Sequence, residues 1–341
     1  EVINNPSAKY DAQASGGIIN IILKTQSDEG FGGNIGFNAG NFDRYNSNLD
    51  FNYKKGKLNV FGSLNGNQDT RISNATVFRK SFIDNTTPII DQRRTIDRFG
   101  QNFTGSFGLE FAPSQKNIFS LEMNLGGGRN NSDEVLNNFN RNADNSLISE
   151  FVRLSDEQGN SFNQNYAFSY TRKFAKPRQE LKLSASLAQS EDNTDLNSNQ
   201  STDILQRTSE DNGNQMIILQ ADYTHPLKDG WRVETGYKSI FRKVDNEFIL
   251  EDWTNGTWTN NNNFSNDFRF DEKVLGAYGI LFGKYKKLEF EAGVRVEQTY
   301  TTSELINTQE TFKNDYINAF PNGAISYSLP KDQQIKITYG R

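Results

Sequence analysis

Leu288-Glu289-Phe290-Glu291-Ala292-Gly293-Val294-Arg295-Val296-Glu297 is the stretch that decides the fold. In a β-strand successive side chains point to opposite faces. Leu288, Phe290, Ala292, Val294 and Val296 therefore share one face, and Glu289, Glu291, Gly293, Arg295 and Glu297 share the other. The apolar face needs lipid or a core. The charged face needs water or mutual pairing, because an isolated buried charge is too costly to keep. A strand built this way separates two solvents.

The same alternation recurs outward along the chain. Phe103, Phe107, Leu109 and Phe111 oppose Thr104, Ser106, Gly108 and Glu110. Phe119, Leu121, Met123 and Leu125 oppose Ser120, Glu122, Asn124 and Gly126, and Leu181, Leu183, Ala185 and Leu187 oppose Lys182, Ser184, Ser186 and Ala188. Ile217, Leu219, Ala221 and Tyr223 oppose Ile218, Gln220, Asp222 and Thr224. Short connections at 54–57, 112–117, 175–178, 226–230, 283–287 and 330–333 alternate with long polar ones at 67–98, 129–161, 190–213, 245–271 and 301–315; the hairpin at 41–44 is a brief exception. Repeated structureless loops of roughly 20 residues argue against a compact soluble domain. Strands of alternating polarity with short turns on one side and long loops on the other are the signature of an outer-membrane β-barrel, long loops outside the cell and short turns in the periplasm. The count after residue 30 is about thirteen strands. Bacterial single-chain barrels close with even numbers and an open edge cannot sit in lipid, so the fold class expected is all-β, a partial transmembrane antiparallel barrel.

Composition agrees. Only 34% of the 341 residues are hydrophobic, and mean hydropathy is -0.74. No segment approaches the ~18 consecutive apolar residues of a membrane helix. A barrel tolerates this because every second residue faces a polar lumen. Aromatics reach 12%, with 26 Phe and 13 Tyr, which a disordered polar chain would lack. There is no cysteine, so disulfides and thiolate metal sites are excluded. The net charge of -5 offers nothing to nucleic acid. Glu1-Val2-Ile3 opens without a basic region or apolar core, so it reads as a mature, trimmed or excised start.

The first residues differ from the rest. Ala14-Ser15-Gly16-Gly17 leads into Ile18-Ile19-Asn20-Ile21-Ile22-Leu23-Lys24, a branched run that reads as a strand buried on both faces. This places a boundary at 24–30, giving segments 1–29 and 30–341. Glu1-Val2-Ile3-Asn4-Asn5-Pro6-Ser7-Ala8-Lys9-Tyr10-Asp11 followed by Gly16-Gly17-Ile18-Ile19-Asn20-Ile21 resembles the end of the plug domain in TonB-dependent outer-membrane receptors of the kind common in Bacteroidota. Phe320-Pro321-Asn322-Gly323-Ala324-Ile325-Ser326-Tyr327 and Ile335-Lys336-Ile337-Thr338-Tyr339-Gly340-Arg341 resemble internal strands of that family.

The resemblance implies that 1–29 is the C-terminal end of the plug, with Pro6, Gly16 and Gly17 as its structural motif residues, and that 30–341 is the N-terminal part of a barrel of about twenty-two strands. It implies uptake of a scarce nutrient such as a siderophore, glycan, peptide or cobalamin. The partners implied are outer-membrane lipid, the TonB complex through a segment missing from this chain, the nutrient ligand and a surface lipoprotein. No cofactor is implied. The alternative is a surface-binding or adhesion barrel that does not transport.

Enzyme chemistry finds little support. His225, the only histidine, precedes Pro226 at a short turn and reads as a polar turn residue. Asp192, Asp195 and Asp203, and Asp156 with Glu157, are acidic enough for calcium but lack EF-hand spacing and read as solvated loops. Gly126-Gly127-Gly128 opens no helix and reads as a flexible strand exit. Glu289, Glu291 and Glu297 around Arg295 read as paired charges on the lumen wall rather than a hydrolase site. No catalytic or metal-ligating residue is assigned. Trp253, Trp258 and Phe264 share one polar segment and are the candidate ligand contacts, since exposed aromatics can stack on a sugar or grip a partner; self-packing of the loop is the plainer alternative. Trp231 and Tyr285 sit by short turns, where a periplasmic aromatic girdle belongs.

Overall fold

The structure, a computed structural model, describes residues 2–3, 9, 18–19, 29–82, 89–228, 230–331 and 333–340. Pro6, Gly16 and Gly17 lie outside the described residues. β1 (Val2–Ile3) and β2 (Ile18–Ile19) form a separate antiparallel pair, Val2 opposite Ile19. The remaining strands are β3 (Gly30–Gly40), β4 (Arg44–Lys55), β5 (Leu58–Lys80), β6 (Ile89–Ser114), β7 (Asn117–Arg141), β8 (Leu147–Lys173), β9 (Glu180–Gln200), β10 (Ile204–Pro226), β11 (Arg232–Thr254), β12 (Thr257–Asn260), β13 (Asn266–Tyr285), β14 (Leu288–Leu305), β15 (Glu310–Ser328) and β16 (Gln334–Gly340).

They form one 14-stranded antiparallel sheet in which each strand pairs with the next, β12 folding back on β11 beside the main path. Thirteen strands lie on that path, the number the alternation predicts. β3 and β16 are its edges and do not pair with each other among the described residues, so the sheet is a partial barrel. Among the described residues there is no helix.

The register confirms the two faces. Val294 and Val296 are 45% and 39% exposed, whereas Arg295 and Glu297 between and beside them are 1% and 7% exposed. Cross-strand partners keep the faces distinct from strand to strand: Val296 lies opposite Ala277 and Ala319, and Arg295 opposite Tyr278 and Phe320. Leu121, Phe168, Leu183, Leu219 and Tyr237 continue the outward apolar belt. A soluble protein rarely displays so continuous an apolar surface. Lipid takes the place of a core, and among the described residues the buried apolar cluster of the inner wall is Tyr278 and Ile280 with Phe282 against them.

Close cross-strand packing tightens the inner wall. Tyr278 Oη donates to Asp222 Oδ1 at 2.5 Å, and Gln220 Nε2 donates to Asp222 Oδ2 at 2.8 Å. The Tyr278 ring reaches Asp222 by passing over Gly236, which lies between them in the register. Arg295 donates to Glu297 Oε1 at 2.6 Å and lies over Gly276. Glu291 accepts from Asn322 at 3.0 Å and Glu289 from Lys284 at 2.6 Å. Each of the three carboxylates thus has a partner on the wall.

Two expectations change. Most of each segment predicted as a long loop is strand: 67–98 belongs mainly to β5 and β6, 129–161 to β7 and β8, and 190–213 to β9 and β10. β8 alone has 27 residues, against the ~9–11 that cross a bilayer. The physical reason is that these extensions stand in water. Both faces can be polar there while the backbone ladder continues, so the period of two in hydropathy vanishes although the strand does not. Polar cross-strand pairs replace apolar ones, for example Gln206 Nε2 to Asp252 Oδ1 at 2.8 Å, Ser209 Oγ to Asp195 Oδ1 at 2.8 Å and Gln92 Nε2 to Asn138 Oδ1 at 2.9 Å. Likewise Gly126, Gly127 and Gly128 are interior to β7 rather than a strand exit, with Gly127 packed under the Phe103 ring.

Candidate functional site

The polar extensions bring together what no local motif shows. β6 through β11 curve so that their inward side chains converge on a pocket of about 340 Å³ above the membrane belt. Strand alternation selects the lining. Arg94, Ile96 and Arg98 come from alternate positions of β6, Ser132 and Glu134 from β7, and Arg153, Ser155 and Glu157 from β8. Leu196 and Ser198 of β9, Gln206 and Thr208 of β10 and Leu250 of β11 close the far side.

Glu134 organises the charges. Its carboxylate takes Arg94 Nε at 3.1 Å and Arg153 Nη2 at 3.4 Å. The carboxylate side chain is largely buried while both arginines remain partly open to the pocket. Register explains the convergence. Ile96 lies opposite Glu134, while Leu136 lies opposite both Arg94 and Arg153, so the two guanidinium groups flank one strand and lean toward the same carboxylate. Arg153 Nε is buried and has no hydrogen-bond partner among the described residues. Arg98 lies opposite Arg71 of β5, which is held by Asp69 at 2.8 Å. The result is an arginine-rich wall in a chain of net charge -5, edged by hydroxyl and amide groups and by a few apolar side chains. Such a mixture suits a small polar solute.

The aromatic candidates divide. Trp253 and Trp258 are cross-strand partners in the β11–β12 hairpin, with ring centroids 5.2 Å apart in edge-to-face geometry. Arg207 lies over the Trp258 ring at 4.7 Å and is held there by Glu251. That hydrogen bond pulls the Glu251 carboxyl below its ordinary value and raises that of Arg207. Phe264, 66% exposed, stands apart in the turn before β13. Arg207, Glu251 and Trp253 have the odd numbers of the outward face, so the tryptophan pair lies on the other side of the wall from the pocket.

The remaining sequence candidates are structural. His225 Nδ1 meets Tyr223 Oη at 3.0 Å, and Phe174 meets the Tyr223 ring edge-on, in an aromatic group beside the short turns. Trp231 packs edge-on to Phe290 at 4.8 Å on the same side. Asp195 accepts from Ser209, and Glu157 lines the pocket. Among the described residues no group of three or more His, Asp or Glu side chains is placed to hold a metal ion.

Sequence reasoning missed Arg94, Arg98, Glu134 and Arg153. The one local signal is Arg94-x-Ile96-x-Arg98, which faces one way only once 67–98 is read as strand.

Residues 172–341 match the model of the outer membrane protein beta-barrel family. No match was found among curated protein sequences. Among solved structures the chain is similar to the ferric yersiniabactin uptake receptor FyuA from Yersinia pestis, at 8% identity and a TM-score of 0.35, covering 99% of this chain and 72% of that one. It is also similar to the ferric citrate transporter FecA in its unliganded form, at 9% identity and a TM-score of 0.33, covering 96% and 68%. A third is OmpT, an outer membrane protein of Vibrio cholerae, at 11% identity and a TM-score of 0.23, covering 87% and 91%.

Proposed function

The protein is an outer-membrane β-barrel of a Gram-negative bacterium, its residues 172–341 belonging to the outer membrane protein beta-barrel family, and from that premise we propose that it is a TonB-dependent receptor importing a scarce nutrient. The single observation that carries this is the pairing of a polar, charged inner wall in the membrane with a solute-sized pocket on the same face above it. A solute captured between β6 and β11 is already on the lumen side. In this reading residues 1–29 end a plug, with Pro6, Gly16 and Gly17 as its motif residues, and β3 begins the barrel. The plug would face Asp222, Tyr278, Arg295 and Glu297, which hydrogen-bond within the wall as the pairs Tyr278–Asp222 and Arg295–Glu297. A wall with few unpaired groups lets a plug shift without breaking strong bonds.

Transport would be driven by TonB acting on a periplasmic segment, with the pocket supplying capture and the plug supplying the gate. Trp253, Trp258 and Phe264 would act at the outer lip, where a surface lipoprotein could deliver the solute. The test is depletion of nutrients from medium by cells carrying or lacking this protein, each with and without TonB. The expected result is one solute that stays in the medium when either is missing. Depletion that requires this protein but not TonB would retire the receptor reading in favour of a passive pore or a surface-binding barrel.

A further inference from the structure

We propose that the pocket between β6 and β11 takes an anionic solute, gripping a carboxylate or phosphate group on Arg98 and Arg153. The inference deepens the uptake reading, and rests on it for its physiological meaning. Three observations carry it. First, Glu134 already shows what the pocket holds. Its carboxylate sits between two guanidinium groups at 3.1 and 3.4 Å, so the strands aim arginines at a point where an oxyanion fits. Arginine's planar fork of donors suits such oxygens. Second, the fork of Arg153 is half used. Nη2 serves Glu134, while Nε is buried without a partner among the described residues. Nε has almost no accessible surface, so a solute meets instead the outer guanidinium nitrogens, the Arg153 side chain being 39% exposed beside the pocket. Third, Arg98 and Arg71 are direct cross-strand partners. Like charges placed opposite each other destabilise a sheet. Asp69 restrains Arg71, but Arg98 has no ion pair among the described residues. An anion in the pocket would relieve the like-charge pair and engage the exposed part of the Arg153 guanidinium.

The lining refines the class. Three arginines face two carboxylates, Glu134 and Glu157, leaving one positive charge in excess. Ser132, Ser155 and Gln206 supply neutral hydrogen bonds. A compact solute with one or more acidic groups and further polar atoms matches this better than a neutral or cationic one.

The test is calorimetric binding to the full chain, purified from outer membranes in detergent. The probes are tricarballylate, its trimethyl ester and pyrophosphate. The expected result is that the ester fails to bind while at least one anion does. R98Q and R153Q should each weaken that anion about tenfold, the scale of one lost charge-assisted hydrogen bond. E134Q should tighten it, because the internal carboxylate no longer competes; a merely structural glutamate would not give that sign. Tighter tricarballylate identifies a carboxylate site and tighter pyrophosphate a phosphate site. Heat-modifiable electrophoretic mobility checks that each variant is folded. Ester binding equal to that of the acid overturns the proposal, as does a loss below about threefold in both arginine variants. So does failure of both anions to bind at about 10 mM, weaker than any useful capture. Anion binding without TonB-dependent depletion would retire the uptake reading and leave this one. Depletion of a neutral solute with no anion binding would do the reverse.

Discussion

Replacing Gly236 by alanine should destabilise the barrel by about 2–4 kcal/mol. The added Cβ would stand 2.5 Å from Tyr278 Cε1, 2.7 Å from the Ala221 carbonyl oxygen and 2.8 Å from Asp222 Oδ1. The tyrosine ring can swing away, but the Ala221 carbonyl belongs to the β10–β11 ladder and cannot move without disturbing it. Overpacking of this sort costs about 1–3 kcal/mol. If Tyr278 moves instead, Asp222 loses a 2.5 Å hydrogen bond in a buried position, worth about 1.5–3 kcal/mol for a charged acceptor. The two routes compete, so their costs overlap rather than add. Gly279 is the control. It lies on β13 near Tyr278, and a Cβ there meets nothing within 4 Å. Gly279→Ala should be neutral or stabilising by about 0.4–1 kcal/mol through the unfolded chain. Tyr278→Phe separates the hydrogen bond from the steric term. Denaturant-driven unfolding in lipid vesicles, followed by tryptophan emission, measures all three. Equal stabilities of Gly236→Ala and Gly279→Ala, within about 0.5 kcal/mol, would refute the packing described for this wall.

Three further outcomes are expected. Val294→Lys, on the lipid face, should cost about 2–4 kcal/mol, whereas Ser184→Lys on the lumen face of β9 should change folding little; equal losses in the same unfolding assay would mean the faces are reversed. Glu251 is held below its ordinary value by Arg207, so the contact that keeps Arg207 over Trp258 is complete above pH 4.5 and is lost as pH falls through the depressed value. A titration of tryptophan emission should therefore turn below 4.5 and be flat in Glu251→Gln; a turn at or above 4.5 would contradict it. Trp258→Ala removes an edge-to-face pair worth about 0.5–1.5 kcal/mol, confined to the β11–β12 hairpin. Hydrogen exchange at 250–260 should quicken while the barrel's unfolding midpoint stays put, and a lowered midpoint would show that the hairpin supports the wall.

Inside the bilayer the sequence was almost fully readable. Leu288 to Glu297 displays its two faces without help, because lipid on one side and a polar lumen on the other force every second residue to differ. The same rule located the short turns and gave the thirteen-strand path. Above the bilayer it failed at 67–98 and 129–161. Water bathes both faces there, so Asn, Asp, Ser and Arg are as acceptable outward as inward, and hydropathy no longer marks a strand. Trp253 and Trp258 were seen as neighbours in sequence, but their direct cross-strand pairing depended on the two-residue turn between them.

The sequence by itself determined compartment, strand direction and which residues meet lipid, since those follow from a period of two imposed by local solvent. Only the tertiary structure decided the pocket. Arg98 and Glu134 are far apart in the chain, and Arg153 is farther still; they line one pocket because the register of β6, β7 and β8 sets them in nearby rows on one face. Register and curvature arise from the sum of many backbone hydrogen bonds and close contacts across strands. No single segment carries them.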